Sequence, residues 1–396
     1  MTSIVQLANF PTRRPRHGGQ LRAHHIARAL ECAGFIVERM PVFPTNFYPA
    51  AGDDAPTVDL LPAIAYRRYP DVGEVSDMTV SELAATDNGG FAMLAARLDA
   101  AQPDIVMLEE PWLWPALRRW LAAQTARPPV VFNAYNVESH AKAAILTDAK
   151  VAEAEHIIAE VEALERDLVR AAAGVTTTTA EDAAILQRWT DHPVTVAPNG
   201  TVARQTAHLH GILPRPLGTG LRFVLFVGSA HPPNATGFMT MAVPALPELR
   251  SNERIVVAGG VCQLLASRLE PEGTNFLVRD RIVLFGQVSD FALSCLLGNA
   301  SGILLPITYG GGSNLKTPEA LISGLPVVGT PQAFRGFSEF ADFPGVTIAD
   351  TPESFAAGIR GSLDRQSRRE PVTELRQLLW VNTLRPIVEL AHSLSG

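Results

Sequence analysis

The stretch "TYGGGSNLKTPEALISGLPVVGT" (residues 308–330) decides how this chain folds. It follows the apolar run "GILLPIT" (302–308), which predicts a buried strand, and it ends in "LPVVGT", which predicts the next one. Proline is tolerated only near the first turn of a helix, so Pro318 indicates a helix that begins between Asn314 and Thr317. The stretch therefore predicts a parallel strand–helix–strand unit with a glycine-rich loop before its helix.

The same alternation of strand-like and helical patterns extends over the whole chain. It predicts an α/β protein with two doubly wound, Rossmann-like domains, residues 1–200 and 201–371, whose parallel sheets are covered on both faces. Residues 201–220 are poor in apolar side chains and rich in proline and glycine, so we interpret them as a linker. The stretch 372–396 predicts a helical tail that crosses back to the first domain. The predicted strands lie at 3–8, 35–40, 63–69, 104–109, 129–135, 174–179, 193–201, 222–228, 254–260, 281–286, 302–308, 325–330 and 345–350.

Composition and charge narrow the class of protein. Of the 396 residues, 47% are apolar and 18% are charged, which is typical of a globular chain. The net charge of −7 argues against general binding of nucleic acid. No run approaches the roughly 18 apolar residues of a membrane span, and no secretion signal is visible. The three cysteines lie in apolar surroundings without metal-binding spacing, so we expect reduced thiols, a cytoplasmic protein and no bound metal.

Lys316 stands at the predicted helix start, where the helix dipole disfavours a cation. Glycines allow close approach of a ligand, and the free N–H groups of a helix N-terminus bind phosphate. We interpret the loop as an anion site, in which an anion bridges Lys316 and the helix. Glu319, about one turn further on, can accept hydrogen bonds from hydroxyls such as those of a ribose. The alternative is a plain glycine turn followed by a solvated Lys316–Glu319 pair.

Five motifs carry a resemblance to a known family, and they occur in the family's order. The chain resembles glycosyltransferases of the GT-B fold, close to glycosyltransferase family 4 (glycosyl transferases group 1), over nearly its whole length. The motifs are "RHGGQLRAHHIARALECAGFIV" (16–37), "NAYNVES" (133–139), "VAPNGT" (196–201), "FVGSAHPPNATG" (226–237) and "GGSNLKTPEALISGLPVVGT" (311–330).

The resemblance implies two domains that face each other across a cleft, with a nucleotide sugar in the second and the acceptor mainly in the first. It implies a UDP- or GDP-linked donor, no cofactor and no metal, with positive side chains and helix dipoles stabilising the departing diphosphate. Glu319 then binds the ribose, and the pair Gly18 and Gly19 approaches the diphosphate from the opposite domain. The other predicted donor-binding residues are Gly311, Gly312, Ser313, Asn314 and Lys316.

This chain departs from the family pattern at several positions, three of which lie in the second domain. The family has a glutamate eight positions before Glu319, where this chain has Gly311. An arginine and a lysine that follow the first strand of the family's donor domain correspond here to Ser229 and Asn234. The resemblance implies that the sugar is transferred with retention of its anomeric configuration. The replacement of the family's glutamate by Gly311 concerns this expectation directly.

Three residues of the first domain are catalytic candidates. Glu109 and Glu110 follow the run "DIVML" at the carboxyl end of a predicted strand, where a carboxylate can serve as general base for an acceptor hydroxyl. Alternatively, one of them caps the helix that begins near Pro115. His17, directly before the glycine pair, is either a phosphate or proton-transfer residue or an ordinary loop histidine. Glu138, after "NAYNV", is a further cleft residue or a helix cap.

Together these observations predict a glycosyltransferase that moves a sugar from a nucleotide-diphosphate donor to a hydroxyl of a saccharide or lipid-linked acceptor. The expected setting is bacterial cell-surface or exported polysaccharide synthesis. Arg13, Arg14 and Arg16 suggest peripheral contact with a membrane surface, or else a solvated loop. Two alternatives stay open: a GT-B isomerase that converts the nucleotide sugar itself, and a non-catalytic relative that binds a nucleotide.

Overall fold

The structure, a computed structural model, divides the chain into two compact units. The first comprises Met1–Asn199 with Thr383–Gly396, and the second comprises Gly200–Asn382. The predicted strand at 63–69 and the candidate His17 lie outside the described residues. The residues that the structure describes are 1–15, 18–48, 54–60, 75–87, 90–203, 211–212, 217, 220–269, 280–364 and 373–395.

The first unit is built on a parallel sheet of seven strands in the order β3-β2-β1-β4-β5-β6-β7. Its central strands are apolar and buried, as expected for a sheet covered on both faces. The strands are β1 Ser3–Ala8, β2 Ile36–Phe43, β3 Val58–Asp59, β4 Ile105–Glu109, β5 Val130–Asn133, β6 Gly174–Thr177 and β7 Val194–Val196. The α-helices of its main segment are α1 Gly18–Cys32, α2 Ser76–Ala85, α3 Phe91–Ala101, α4 Trp114–Ala123, α5 Glu138–Asp148, α6 Ala154–Ala171 and α7 Ala180–Leu186.

The second unit repeats this plan with a parallel sheet of six strands in the order β10-β9-β8-β11-β12-β13. The strands are β8 Arg222–Val227, β9 Glu253–Ala258, β10 Ile282–Leu284, β11 Gly302–Leu305, β12 Val327–Gly329 and β13 Val346–Ile348. The helices from here to the end of the chain are α8 Pro232–Gly237, α9 Val261–Leu269, α10 Asp290–Asn299, α11 Lys316–Ile322, α12 Pro352–Asp364, α13 Trp380–Thr383 and α14 Arg385–Leu394. Short 3-10 or π segments lie at Thr45–Phe47, Gln187–Trp189, Phe238–Ala242, Val243–Glu248, Pro331–Phe334, Ser338–Phe340 and Thr373–Leu378.

Each sheet has one place where the direction of its strand order reverses. In the first unit this place lies between β1 and β4, and in the second between β8 and β11. Ligands of doubly wound sheets bind beyond the carboxyl ends of the strands at such a point. The loops that follow these four strands are therefore where a site is expected in each unit. The predicted α/β class with two doubly wound sheets is confirmed.

The last helix of the chain packs on the first unit. Leu390 of α14 lies so close to Gly174 of β6 that a Cβ atom at the glycine would come within 2.9 Å of the leucine side chain. The ring of His392 lies 4.7 Å from that of Phe35, measured between ring centroids. The predicted tail is thus divided, since 373–382 belong to the second unit and α14 to the first. Among the described helices, none is both long and apolar enough to cross a membrane.

Candidate functional site

The glycine-rich loop of the second unit connects β11 to α11. Gly310 and Gly312 have φ angles of +132° and +64°. Residues with a side chain rarely adopt such positive angles, whereas glycine adopts them readily. The side-chain Oδ1 of Asn314 accepts a hydrogen bond from the backbone N–H of Lys316 at 3.1 Å, which forms an Asx turn directly before the helix. The helix begins at Lys316, inside the predicted window, with Pro318 in its first turn. The local prediction from the glycine and proline pattern is confirmed.

The Lys316 ammonium is held toward the loop that follows β8. Its Nζ donates to Oδ1 of Asn234 at 3.1 Å. Nδ2 of Asn234 in turn donates to the backbone oxygen of Ser229 at 3.0 Å. Within the described part of the chain, no carboxylate forms an ion pair with Lys316. Burial lowers the pKa of Lys316 to about 8, although the charge of Glu319 acts in the opposite direction.

The side chain of Asn314, in the same loop, has an amide donor without an acceptor among the described residues. The amide Nδ2 of Asn314 is buried and, among the residues that the structure describes, has no hydrogen-bond partner. A buried donor without an acceptor is costly, so such groups are usually satisfied by a ligand or by water. Asn314 and Lys316 together therefore present an amide and an ammonium that an anion would satisfy. The next residue of functional interest, Glu319, lies in the first turn of the same helix.

The lowered pKa of Lys316 leads to a pH-dependent prediction for anion binding. We expect the affinity for UDP to be constant up to about pH 7 and to fall by up to about tenfold per unit as pH rises through 8. The reason is that only the protonated ammonium attracts the diphosphate, whose terminal phosphate is already ionised above about pH 6. Calorimetric titrations between pH 7 and 9 measure this. The control is Lys316→Arg, whose guanidinium stays charged and should remove the step. A step that persists in this variant would contradict the assignment.

The first unit carries a buried row of polar side chains across its central strands. Glu109, the last residue of β4, accepts hydrogen bonds from Gln6 at 2.7 Å, Asn133 at 3.1 Å and the hydroxyl of Tyr135 at 2.7 Å. Asn133 also accepts a hydrogen bond from Thr176 at 2.7 Å. Burial raises the pKa of Glu109, while these hydrogen bonds act to lower it. Both carboxylate oxygens are thus engaged, which suits a residue that holds the strand ends together.

The role of Glu109 predicts a loss of stability on truncation. We expect Glu109→Ala to lower the free energy of unfolding by about 3 kcal/mol, because two buried donors and one half-buried donor lose their common acceptor. Urea unfolding followed by circular dichroism measures the change. The control is Glu109→Gln, which keeps one acceptor oxygen and should lose clearly less. Equal stability of Glu109→Ala and the wild type would show that this row does not stabilise the fold.

Glu110, the neighbouring residue, has a different environment. Its φ of +63° is uncommon for a residue other than glycine, and such strain occurs often at functional sites. Its carboxylate has no hydrogen bond within the residues described by the structure. A Cβ atom at Gly19 would lie 3.6 Å from its Oε1, so the start of α1 passes close by. Burial raises the pKa of Glu110 well above its usual range, and the charges of Glu138 and Asp77 raise it further.

A lysine that the sequence analysis did not single out lies among the charged groups of this region. Lys142 of α5 is buried, and its Nζ donates to Oδ2 of Asp77 at 2.9 Å. Glu138 begins the same helix, whose first N–H groups donate to the carboxylate of Glu165, from Glu138 at 2.6 Å and from Ser139 at 2.9 Å. Burial, and next the charge of Glu138, raise the pKa of Glu165 to about 7. Glu138 and Lys142 are four residues apart, which places them on the same face of a helix, so this spacing could have identified the lysine from the sequence.

The structure thus places the predicted site residues in two groups, one in each unit. The glycine pair begins α1 in the first unit, near Glu110. The residues that lie together in the loop and first turn after β11 are Gly311, Gly312, Ser313, Asn314, Lys316 and Glu319. His17 lies outside the described residues, so its role stays a prediction.

Comparisons with known proteins agree with this architecture. Residues 222–365 match the family model of the glycosyl transferases group 1. Sucrose-phosphate synthase from Thermosynechococcus elongatus is 15% identical with a TM-score of 0.63, over 100% of this chain and 95% of that one. Anabaena HepE in complex with UDP is 14% identical with a TM-score of 0.64, over 99% and 100%. The lipopolysaccharide outer core galactosyltransferase WaaB is 10% identical with a TM-score of 0.61, over 99% of each chain. No curated protein sequence matches this one significantly.

The two sheets and these structural matches define a GT-B fold. Residues 222–365, which lie in the second unit, match the glycosyl transferases group 1 domain. The predicted fold and the resemblance to group 1 are confirmed. Membership of family 4 in particular stays a prediction.

Proposed function

We propose that this protein transfers a sugar from a nucleotide diphosphate to a hydroxyl of an acceptor. The observation that carries the proposal is a pair of donor groups after β11. Among the described residues, the Asn314 amide has no hydrogen-bond acceptor, and the Lys316 ammonium has no ion-pair partner. A diphosphate offers the negative charge and the acceptor oxygens that both groups lack. When the bond to the anomeric carbon breaks, the diphosphate gains charge, and a fixed ammonium stabilises that charge most in the transition state.

We assign Glu319 to the ribose of the donor, which is expected to carry UDP or GDP. A carboxylate one turn into the helix accepts hydrogen bonds from neutral hydroxyls, and the UDP complex of HepE shows that this fold holds a nucleotide in that protein.

The assignment of Glu319 predicts a selective loss. We expect Glu319→Gln to weaken UDP binding about tenfold, because a carboxylate accepts stronger hydrogen bonds than an amide. Binding of 2′,3′-dideoxy-UDP should change less than about twofold, since it lacks the hydroxyls that the carboxylate accepts. Calorimetry with both ligands measures the difference. The matched control is Glu353→Gln, an exposed glutamate in the first turn of α12. Equal losses of affinity for both nucleotides would contradict the assignment of Glu319 to the ribose.

We assign the general base for the acceptor hydroxyl to Glu110 rather than to Glu109. The carboxylate of Glu109 is occupied by three hydrogen bonds, whereas that of Glu110 has none among the described residues. A raised pKa also brings Glu110 nearer to the range in which a carboxylate is an effective base.

The proposed acceptor is a saccharide or a lipid-linked saccharide, and the proposed setting is the synthesis of bacterial cell-surface polysaccharide. WaaB, a lipopolysaccharide galactosyltransferase of the same fold, supports this setting. We further propose transfer with retention of configuration and without a metal ion, as the resembling family works. Gly311 in place of the family's first glutamate makes the anomeric configuration of the product, read by NMR, an informative measurement.

The direct test is a thermal-shift screen with UDP-, GDP-, ADP- and TDP-sugars. A ligand that binds only the native state raises the melting temperature, by more as its concentration exceeds its dissociation constant. The hit is then incubated with saccharide acceptors, and we expect a new glycoside. No shift with any donor would refute the proposal. Conversion of the donor without an acceptor would indicate an isomerase, and binding without any turnover would indicate a non-catalytic relative.

A further inference from the structure

A group of acidic side chains gathers at the carboxyl ends of the central strands in the first unit. We call it the acidic cluster and define it as Asp77, Glu110 and Glu138, together with Asn9 and Lys142. Asn9 directly follows β1, Glu110 directly follows β4, and Glu138 begins the helix after β5. The cluster therefore lies where the strand order reverses, the place at which a doubly wound sheet binds its ligand.

Negative charge exceeds positive charge in the acidic cluster. Its single cation, Lys142, is paired with Asp77 at 2.9 Å. Burial raises the pKa of Glu110, and the charges of Glu138 and Asp77 raise it further. Burial likewise raises the pKa of Glu138, where Lys142 opposes it. An additional anion placed here would be repelled by the same charges.

The acidic cluster also contains a buried acceptor without a donor. Asn9 is 3% exposed, and its Nδ2 lies 3.5 Å from Oδ1 of Asp77. The nitrogen must face Asp77, because two oxygens would repel each other there. Oδ1 of Asn9 then has no hydrogen-bond donor within the described residues. The carboxylate of Glu110 also accepts no hydrogen bond from a described residue, so Asn9 and Glu110 both have oxygen atoms that can accept hydrogen bonds from a ligand.

We propose that the acidic cluster binds the acceptor, and that this acceptor is a sugar without negative charge. Such a sugar supplies hydroxyl or ammonium donors to Asn9 and to the carboxylates, which is what the cluster lacks. A sugar phosphate or a uronate would bring more acceptors and a like charge, and it is rejected. This inference rests on the proposed function and names the substrate class of its acceptor site.

The test measures binding of three probes that share one ring: glucosamine, methyl α-glucoside and glucose 6-phosphate. Binding is followed by ligand-detected NMR at equal concentrations with UDP present, so it does not depend on turnover. We expect glucosamine and methyl α-glucoside to bind at least about tenfold more tightly than glucose 6-phosphate. Equal or tighter binding of glucose 6-phosphate, or no binding of any probe, would overturn the proposal.

The variant Asp77→Asn tests whether the acidic cluster causes the selectivity against a negatively charged sugar. Asp77→Asn removes one negative charge and the ion-pair partner of Lys142, so we expect binding of glucose 6-phosphate to improve about tenfold. Binding of methyl α-glucoside should change less than about threefold. Glu138→Gln, which removes a charge without touching that pair, should act in the same direction and serves if Asp77→Asn does not fold. An unchanged ratio in a folded variant would overturn the proposal.

The test of the acceptor proposal can fail independently of the test of the proposed function. If no nucleotide sugar stabilises the protein, the donor proposal fails, while sugar selectivity in the first unit can still be measured. If a donor binds but the three sugars show the opposite order, only the inference about the acceptor fails.

Discussion

Replacing Lys316 with alanine is expected to weaken UDP binding about 100-fold and to leave the affinity for uridine within about twofold. A hydrogen bond to a charged group contributes about 1.5–3 kcal/mol, which corresponds to a factor of roughly 10 to 150. We expect the upper part of this range because the ammonium is partly buried and its one hydrogen bond to a described residue is with the neutral amide of Asn234, at 3.1 Å. Calorimetry with UDP, UMP and uridine measures the loss, which should grow with the number of phosphates.

Lys150→Ala is the matched control for this experiment. Lys150 is an exposed lysine of the first unit, and its removal should leave both affinities unchanged. Comparable losses for uridine and UDP in Lys316→Ala would mean that the lysine supports the fold of the loop and does not contact the diphosphate. Urea unfolding of the variant distinguishes a binding effect from a loss of stability.

Replacing Glu110 with glutamine is expected to lower kcat about 100- to 1,000-fold with little change in donor affinity. General base catalysis contributes about 10²–10⁴-fold, and an amide cannot take the proton of the acceptor hydroxyl. The free energy of unfolding should stay the same or rise, because a half-buried carboxylate beside Glu138 and Asp77 loses its charge. Steady-state rates with the donor and acceptor found by screening, together with UDP calorimetry, measure both parts.

The control is Glu155→Gln, an exposed glutamate in the first turn of α6. It changes the same functional group without touching the charged region and should retain full activity. If Glu110→Gln keeps its turnover, the general base lies elsewhere, and Glu110 owes its unusual backbone conformation to some other constraint. If donor affinity falls in parallel with kcat, Glu110 contributes to the donor site.

Much of the fold could be predicted from local pattern. The run "GILLPIT", the glycines and Pro318 predicted a strand, a loop and a helix start, and the structure has β11 at Gly302–Leu305 and α11 from Lys316. These signals are local because backbone freedom at glycine, the missing N–H of proline and the period of apolar residues act within a few residues. The position of Lys316 at the start of the helix was predicted on the same basis.

The relation between distant residues could not be predicted in this way. Sequence analysis left Glu109 and Glu110 equivalent, but the register of β4 with β5 pairs Glu109 with Asn133 and puts its carboxylate into the buried row. Glu110, one residue later, leaves the strand with a positive φ. Because β4 ends at Glu109, a single step along the chain separates a fully buried carboxylate from a half-buried one.

The sequence by itself determined most of the strands, the two-sheet architecture and the glycine-rich loop with its lysine. Only the tertiary structure decided which side chains meet: Lys316 with Asn234, 82 residues apart, and Lys142 with Asp77, 65 residues apart. The physical reason is that parallel strands bring their carboxyl ends to one edge of a sheet whatever their separation in the chain. Periodicity reveals the strands, whereas strand order and register decide which residues share that edge.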